Sequence, residues 1–175
     1  MIDRPRGERG IAYNRRVSAR SKSTLKAALL AQLEAALATA RAAHKAAVEG
    51  ATHAEARPEN DKDTRGLEQS YLARGVAQRA AELEAAVAAI AGWQPRAFAE
   101  DAAIAVGALV AVDDDGRARQ FLIAGHGGGL TLPGQVTVVT PSSPIGRALL
   151  GRRVDEDCEV DLGGGLRTLS ITAIE

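Results

Sequence analysis

At 175 residues the chain has room for one or two small domains, and its net charge of zero argues against a protein held on nucleic acid by overall charge. Hydrophobic residues make up 46%, but aromatics are only 3% and alanine supplies much of the rest, which favours long helices over a large core. A single cysteine, Cys158, excludes an internal disulfide framework or a cysteine-based zinc site, and its strand context makes it a small buried hydrophobe. No apolar run approaches the roughly 20 residues needed to cross a bilayer. The basic N-terminus lacks a following apolar stretch, so a cytoplasmic protein is expected.

Residues 1–22 carry seven Lys/Arg against two acids with no hydrophobic period, and are expected to be a disordered basic arm, either solvated or touching an acidic partner. From Ser23 the pattern becomes helical. Leu30, Leu33, Leu37, Ala40, His44, Ala47 and Ala51 recur in a 3-4 alternation, the signature of a coiled-coil seam, until Pro58. A second helix is predicted from Asp63 or Thr64 to Ala91, with a seam at Leu72, Val76, Arg79, Leu83, Ala86 and Ile90, closed by Gly92 and Pro95. Folding the chain about residue 60 sets Leu37 near Leu83, Leu33 near Val87 and Leu30 near Ile90. The seam thus closes in its own register, predicting a monomer with an antiparallel hairpin over residues 23–92, roughly 45 Å long at ~1.5 Å per residue. His44 falls within this seam as a register-fixing polar group, and the three histidines are too scattered for a metal site.

After a linker at 93–103, residues 104–175 change to strand grammar. Strands are predicted at Ile104–Asp113 and Arg119–Ala124 around an Asp-Asp-Asp-Gly turn, at Gln135–Thr140, and at Asp157–Leu162 and Leu166–Ile174 around three glycines. A short helix is predicted over Ile145–Leu150. The fold class is therefore α+β: a long antiparallel coiled-coil hairpin followed by a small antiparallel β domain with one short helix. Neither Gly125–Gly129 nor Gly163–Gly165 opens a helix in a βα unit, so both read as hairpin glycines and not phosphate loops. Nothing matches a hydrolase nucleophile pattern, and the chain is not expected to be an enzyme.

The segment Val136–Gly151, VTVVTPSSPIGRALLG, is a strand, a proline-bounded cap and a short helix closed by glycine. It resembles the C-terminal domain of bacterial Gre-type transcription elongation factors, and the order of the following charged segment, strand, glycine turn and last strand agrees. With the preceding hairpin, the resemblance covers about residues 23–175. It implies an FK506-binding-protein-like fold for 104–175 without isomerase activity, docking on RNA polymerase through Ser143, Pro144, Ile145, Arg147 and Leu150, and only indirect contact with DNA and nascent RNA. It also implies a hairpin tip that enters the polymerase secondary channel, where acidic residues help hold the polymerase Mg²⁺ during cleavage of backtracked RNA; no metal is bound stably by the chain alone. Here Glu59, Asp61 and Asp63 stand at the tip. The family's Asp-x-x-Glu-Asn pattern is broken, because Ala56 takes the aspartate position beside Glu59-Asn60; with Tyr71 as the family tyrosine, Leu67 falls where the glutamate would. Three readings follow: stimulation of cleavage, channel occupancy that inhibits or antagonises other channel factors, or an adaptor role like that of relatives regulating nucleoside diphosphate kinase.

Overall fold

The computed structural model describes residues 22–52, 65–161 and 163–175. Helix α1 is Lys22–Thr52 and helix α2 is Arg65–Gly92; strands β1 Leu109–Asp114, β2 Arg117–Ile123, β3 Thr131–Leu132 and β4 Val136–Val139 follow. Helix α3 is Pro144–Leu149, and β5 Asp157–Asp161 and β6 Leu166–Ile174 complete the chain. The α+β class predicted above is the one observed. No helix among the described residues is long and apolar enough to cross a membrane.

The chain divides into two compact units, one comprising Leu30–Gly92 and the other joining the beginning of α1 to Trp93–Glu175. In the helical unit the buried positions are Leu33, Leu37 and Ala40 on α1, and Ala80, Leu83, Ala86 and Ile90 on α2. These steps of three and four are those of a coiled-coil seam. Arg41 and Glu84 bridge the two helices at 2.8 Å, an exposed pair worth little energy but consistent with a chain folded back on itself. Two seam positions are corrected. Leu72 is 60% exposed, and Arg79 turns outward to an ion pair with Glu82 while Ala80 takes the buried place. A charged guanidinium stays in water where the neighbouring methyl can be buried at no desolvation cost. Leu30 is likewise only half-buried, and so is His44.

The second unit is a six-stranded sheet in the order β3-β4-β2-β1-β6-β5. Four of its pairings are antiparallel, but β2 and β4 run parallel, from Gln120↔Val136 to Ile123↔Val139. The small antiparallel sheet expected from sequence is observed, with this one parallel pair as its exception. A parallel neighbour needs a crossover of about a dozen residues, and the Gly125–Gly129 loop with β3 supplies it. β1 begins at Leu109 and not at Ile104, because a turn closed by Ala108 N–H to Ala105 O intervenes. Ile104 is nonetheless core: its N–H donates to Arg152 O at 2.7 Å and its carbonyl accepts from Gly151.

One sheet face buries Val110, Val112, Phe121, Ile123, Cys158, Val160, Leu169 and Ile171 together with Leu149 of α3. Cys158 is thus the buried hydrophobe expected, and burial pushes its thiol pKa up. The first turns of α1 also belong to this unit. Leu25 and Leu29 are fully buried, and a Cβ on Gly127 would come within 2.6 Å of Leu29 Cδ1. Lys22, placed by the sequence in the basic arm, is instead the first helical residue. Its ammonium donates to Arg96 O at 2.5 Å and lies 4.7 Å from the Phe98 ring centroid. Burial pushes its pKa down, the Glu175 carboxylate opposes that shift, and Arg96 adds to it.

At the end of the same core face, Asp114 is buried and its Oδ2 accepts from Arg119 at 3.1 Å and Arg167 at 3.0 Å. Replacing Asp114 by alanine leaves both guanidiniums without that acceptor. Both are about half-exposed and recover water, so the expected loss is about 2 kcal/mol and not the larger figure of a fully buried pair. A urea midpoint equal to that of the unaltered chain would show the cluster to be energetically idle.

Candidate functional site

The segment that carries the family resemblance folds as a compact capped turn. Ser143 is the N-cap of α3: its extended backbone (φ −70°, ψ 155°) turns the Oγ to accept from Gly146 N–H at 3.0 Å. The same hydroxyl donates to Thr140 O at 2.8 Å, so it ties the end of β4 to the start of the helix. Such a cap is worth about 1 kcal/mol. Pro144 fits the first turn because its missing N–H would have no helical partner. Gly146 has no substitute, since a Cβ there would lie 1.9 Å from Thr140 O. Leu149 anchors the helix in the core. Each residue of the motif therefore answers a separate local requirement.

Of the five residues expected to dock a partner, the structure brings all to α3 and its flanks, but not all to the surface. Pro144 and Arg147 are exposed, Ser143 is half-buried and occupied by its capping bonds, and Ile145 and Leu150 pack partly against the core. The Arg147 guanidinium is held back over the cap, with Nη1 donating to Ser142 O at 2.6 Å. Arg152 and Arg153 are also exposed just beyond the helix; Arg152 pairs with Glu156 at 3.8 Å and Arg153 donates to Asp101 O. The outward face is thus proline and arginine, suited to an acidic or carbonyl-rich protein surface. Glu59, Asp61 and Asp63 lie outside the described residues, as do residues 1–21. Tyr71, the first side chain described after the tip, is 62% exposed. Sequence reasoning missed the Asp114 cluster and the Lys22 anchor, neither of which has a local motif.

Residues 99–175 match the family described as Transcription elongation factor, GreA/GreB, C-term. This stretch is similar to the C-terminal domain of that family. Its match spans β1 to β6 and includes the whole capped helix. Among solved structures, the chain is similar to the GreA factor homolog 1 (Gfh1) protein of Thermus thermophilus at 22% identity and TM-score 0.38, over 83% of this chain and 94% of that one. Gfh1 of Thermus aquaticus gives 21% identity and TM-score 0.39, over 82% and 92%. A prokaryotic GreA/GreB elongation factor from Nitrosomonas europaea gives 17% identity and TM-score 0.35, over 61% and 90%. At these scores the likenesses add no weight to the domain match. No curated protein matches the chain.

Proposed function

We propose that this Gre-type chain is a transcription elongation regulator that binds RNA polymerase through its β domain and presents the hairpin tip to the secondary channel. The single observation that carries the reading is the family match over residues 99–175. The geometry of the capped α3 supports it, because Pro144 and Arg147 are exposed on a rigid capped turn. The hairpin supports the channel half: α1 alone is 31 residues, or about 46 Å at ~1.5 Å per residue, a length an adaptor does not require. At the tip, Glu59, Asp61 and Asp63 supply the hard oxygen ligands that suit the polymerase Mg²⁺, so catalysis belongs to the polymerase and not to this chain. A second reading, occupancy of the channel without cleavage, is favoured by Ala56 and Leu67 standing where the family has acids.

The test is to add the protein to stalled, backtracked elongation complexes and follow both 3′ RNA fragment release and pause duration. Faster fragment release is the expected result of the first reading; longer pausing without fragments is that of the second. Complexes that behave identically with and without the protein would overturn both.

A further inference from the structure

The two helices of the hairpin do not keep step along its length. On α1 the seam positions keep to steps of three and four: Leu37 and Ala40 are buried, His44 and Ala47 half-buried. On α2 the same spacing holds from Ile90 through Ala86 to Leu83, all of them buried. It then calls for a step of four to Arg79, and after that for Val76 and Leu72. The structure instead takes a second step of three, to Ala80, and the half-buried positions beyond are Ala77, Val76 and Ala73. The contact face of distal α2 thus stands one residue away from the repeat, a turn of about 100° around the helix axis.

This displacement leaves a large apolar side chain in water. Leu72 is 60% exposed, while its neighbour Ala73 places only a methyl at the seam. What the displacement spares is Arg79, whose guanidinium stays exposed in a 3.6 Å pair with Glu82. An exposed pair of this kind holds its side chains weakly. In the seam that continues the repeat, Leu72 would be covered, and Arg79 would lay its methylenes along the edge with its charge still in water. Ala73, Ala77 and Ala80 would turn outward, each giving up little apolar area. Val76 serves either seam. Among the described residues of the hairpin beyond Ala40 and Ala80, no buried side chain fixes the phase. Gly75 lies between Leu72 and Arg79 with nothing within 4 Å of the place of a Cβ, and glycine inside a helix frees the backbone to twist.

We propose that α2 between Tyr71 and Ala80 turns about its own axis between two seams: the alanine seam seen here, and one that covers Leu72 and brings Arg79 to its edge. Each seam satisfies what the other leaves exposed. Leu33, Leu37, Leu83 and Ile90, none more than 8% exposed, hold the proximal hairpin in a single phase. Packed helices settle in discrete arrangements and not in a continuum, so the distal part exchanges between two states. The device sets whether Leu72 is offered to solvent beside Tyr71 or withdrawn, and a partner that touches Leu72 selects the seam seen here. It is independent of which partner the hairpin meets.

The experiment is methyl relaxation dispersion on the full-length chain, which senses the microsecond-to-millisecond range of helix register shifts. The expected result is exchange at the methyls of Leu72, Ala73, Val76 and Ala80, with none at Leu33, Leu37, Leu83 and Ile90. Two substitutions at exposed positions, which leave the buried seam intact, lock the opposite ends. Arg79→Leu favours the seam that covers Leu72, and Leu72→Gln favours the alanine seam. Each should abolish the exchange at Ala73 and Ala80, and the shifts of the unaltered chain should fall between those of the two variants. Flat profiles in the unaltered chain would overturn the proposal. So would exchange that either variant leaves intact, or exchange towards random-coil shifts, which marks fraying and not a second seam.

Discussion

Replacing Gly146 with alanine is expected to remove about 2–4 kcal/mol of stability from the β domain. The added Cβ would sit 1.9 Å from Thr140 O, 2.8 Å from Thr140 C and 3.0 Å from Ser143 Oγ. These are backbone and cap atoms, not the free end of a flexible side chain. Thr140 O is already fixed by Ser143 N–H at 3.0 Å and Ser143 Oγ–H at 2.8 Å, so it cannot withdraw without breaking the cap. Overpacking costs about 1–3 kcal/mol and the lost cap about 1 more. That is a large share of the roughly 5–15 kcal/mol that holds an ordinary domain folded. The urea midpoint should fall with little change in slope. Gly164→Ala, where nothing lies within 4 Å, is the matched control and should move the midpoint hardly at all. Equal midpoints for the two variants would refute the steric account of the motif.

The second large effect is functional and leaves stability alone. Changing Asp61 and Asp63 together to asparagine removes two charges at nearly constant size. The sequence leads one to expect a solvated turn there, where substitutions usually shift stability by no more than about 0.5 kcal/mol, and the β domain is untouched. Polymerase binding should therefore persist. Fragment release from backtracked complexes, or pausing if the chain acts as a plug, should fall towards the level without factor, because carboxylate charge is what suits these residues to a metal. A double variant that equals the unaltered chain in fragment release, pausing and competition with other channel factors would make the tip an ordinary solvated turn.

How much of this was legible in the sequence depends on whether a requirement is local. Ser143, Pro144, Gly146 and Gly151 each satisfy a condition set within a few residues, so the capped helix could be read directly, and it stands where expected. The helical seam was legible in period, and its phase holds at Leu33, Leu37, Ala40, Leu83, Ala86 and Ile90 but not at Arg79. Alanines at neighbouring positions leave the choice between Arg79 and Ala80 to side-chain desolvation, and that choice fell on Ala80. The parallel β2–β4 pair was hidden because the two-residue β3 and the glycine loop look like one hairpin turn. Asp113, Asp114 and Asp115 are indistinguishable in a turn-forming run; only pairing with Arg119 and the distant Arg167 singles out the buried one. The place of Lys22 is not legible locally, because its carbonyl acceptors, on Arg96 and Gly107, are far away in the chain. The tip residues Glu59, Asp61 and Asp63 lie outside the described residues.

The most direct measurement is a binding titration of the fluorescently labelled full-length chain with core RNA polymerase, followed by anisotropy. Saturable binding is predicted, weakened about tenfold or more by Arg147→Glu, which reverses an exposed charge on α3, and unchanged by the Asp61/Asp63 double variant. Absence of saturable binding, or binding indifferent to Arg147→Glu but abolished by the tip changes, would contradict a factor that docks through its β domain.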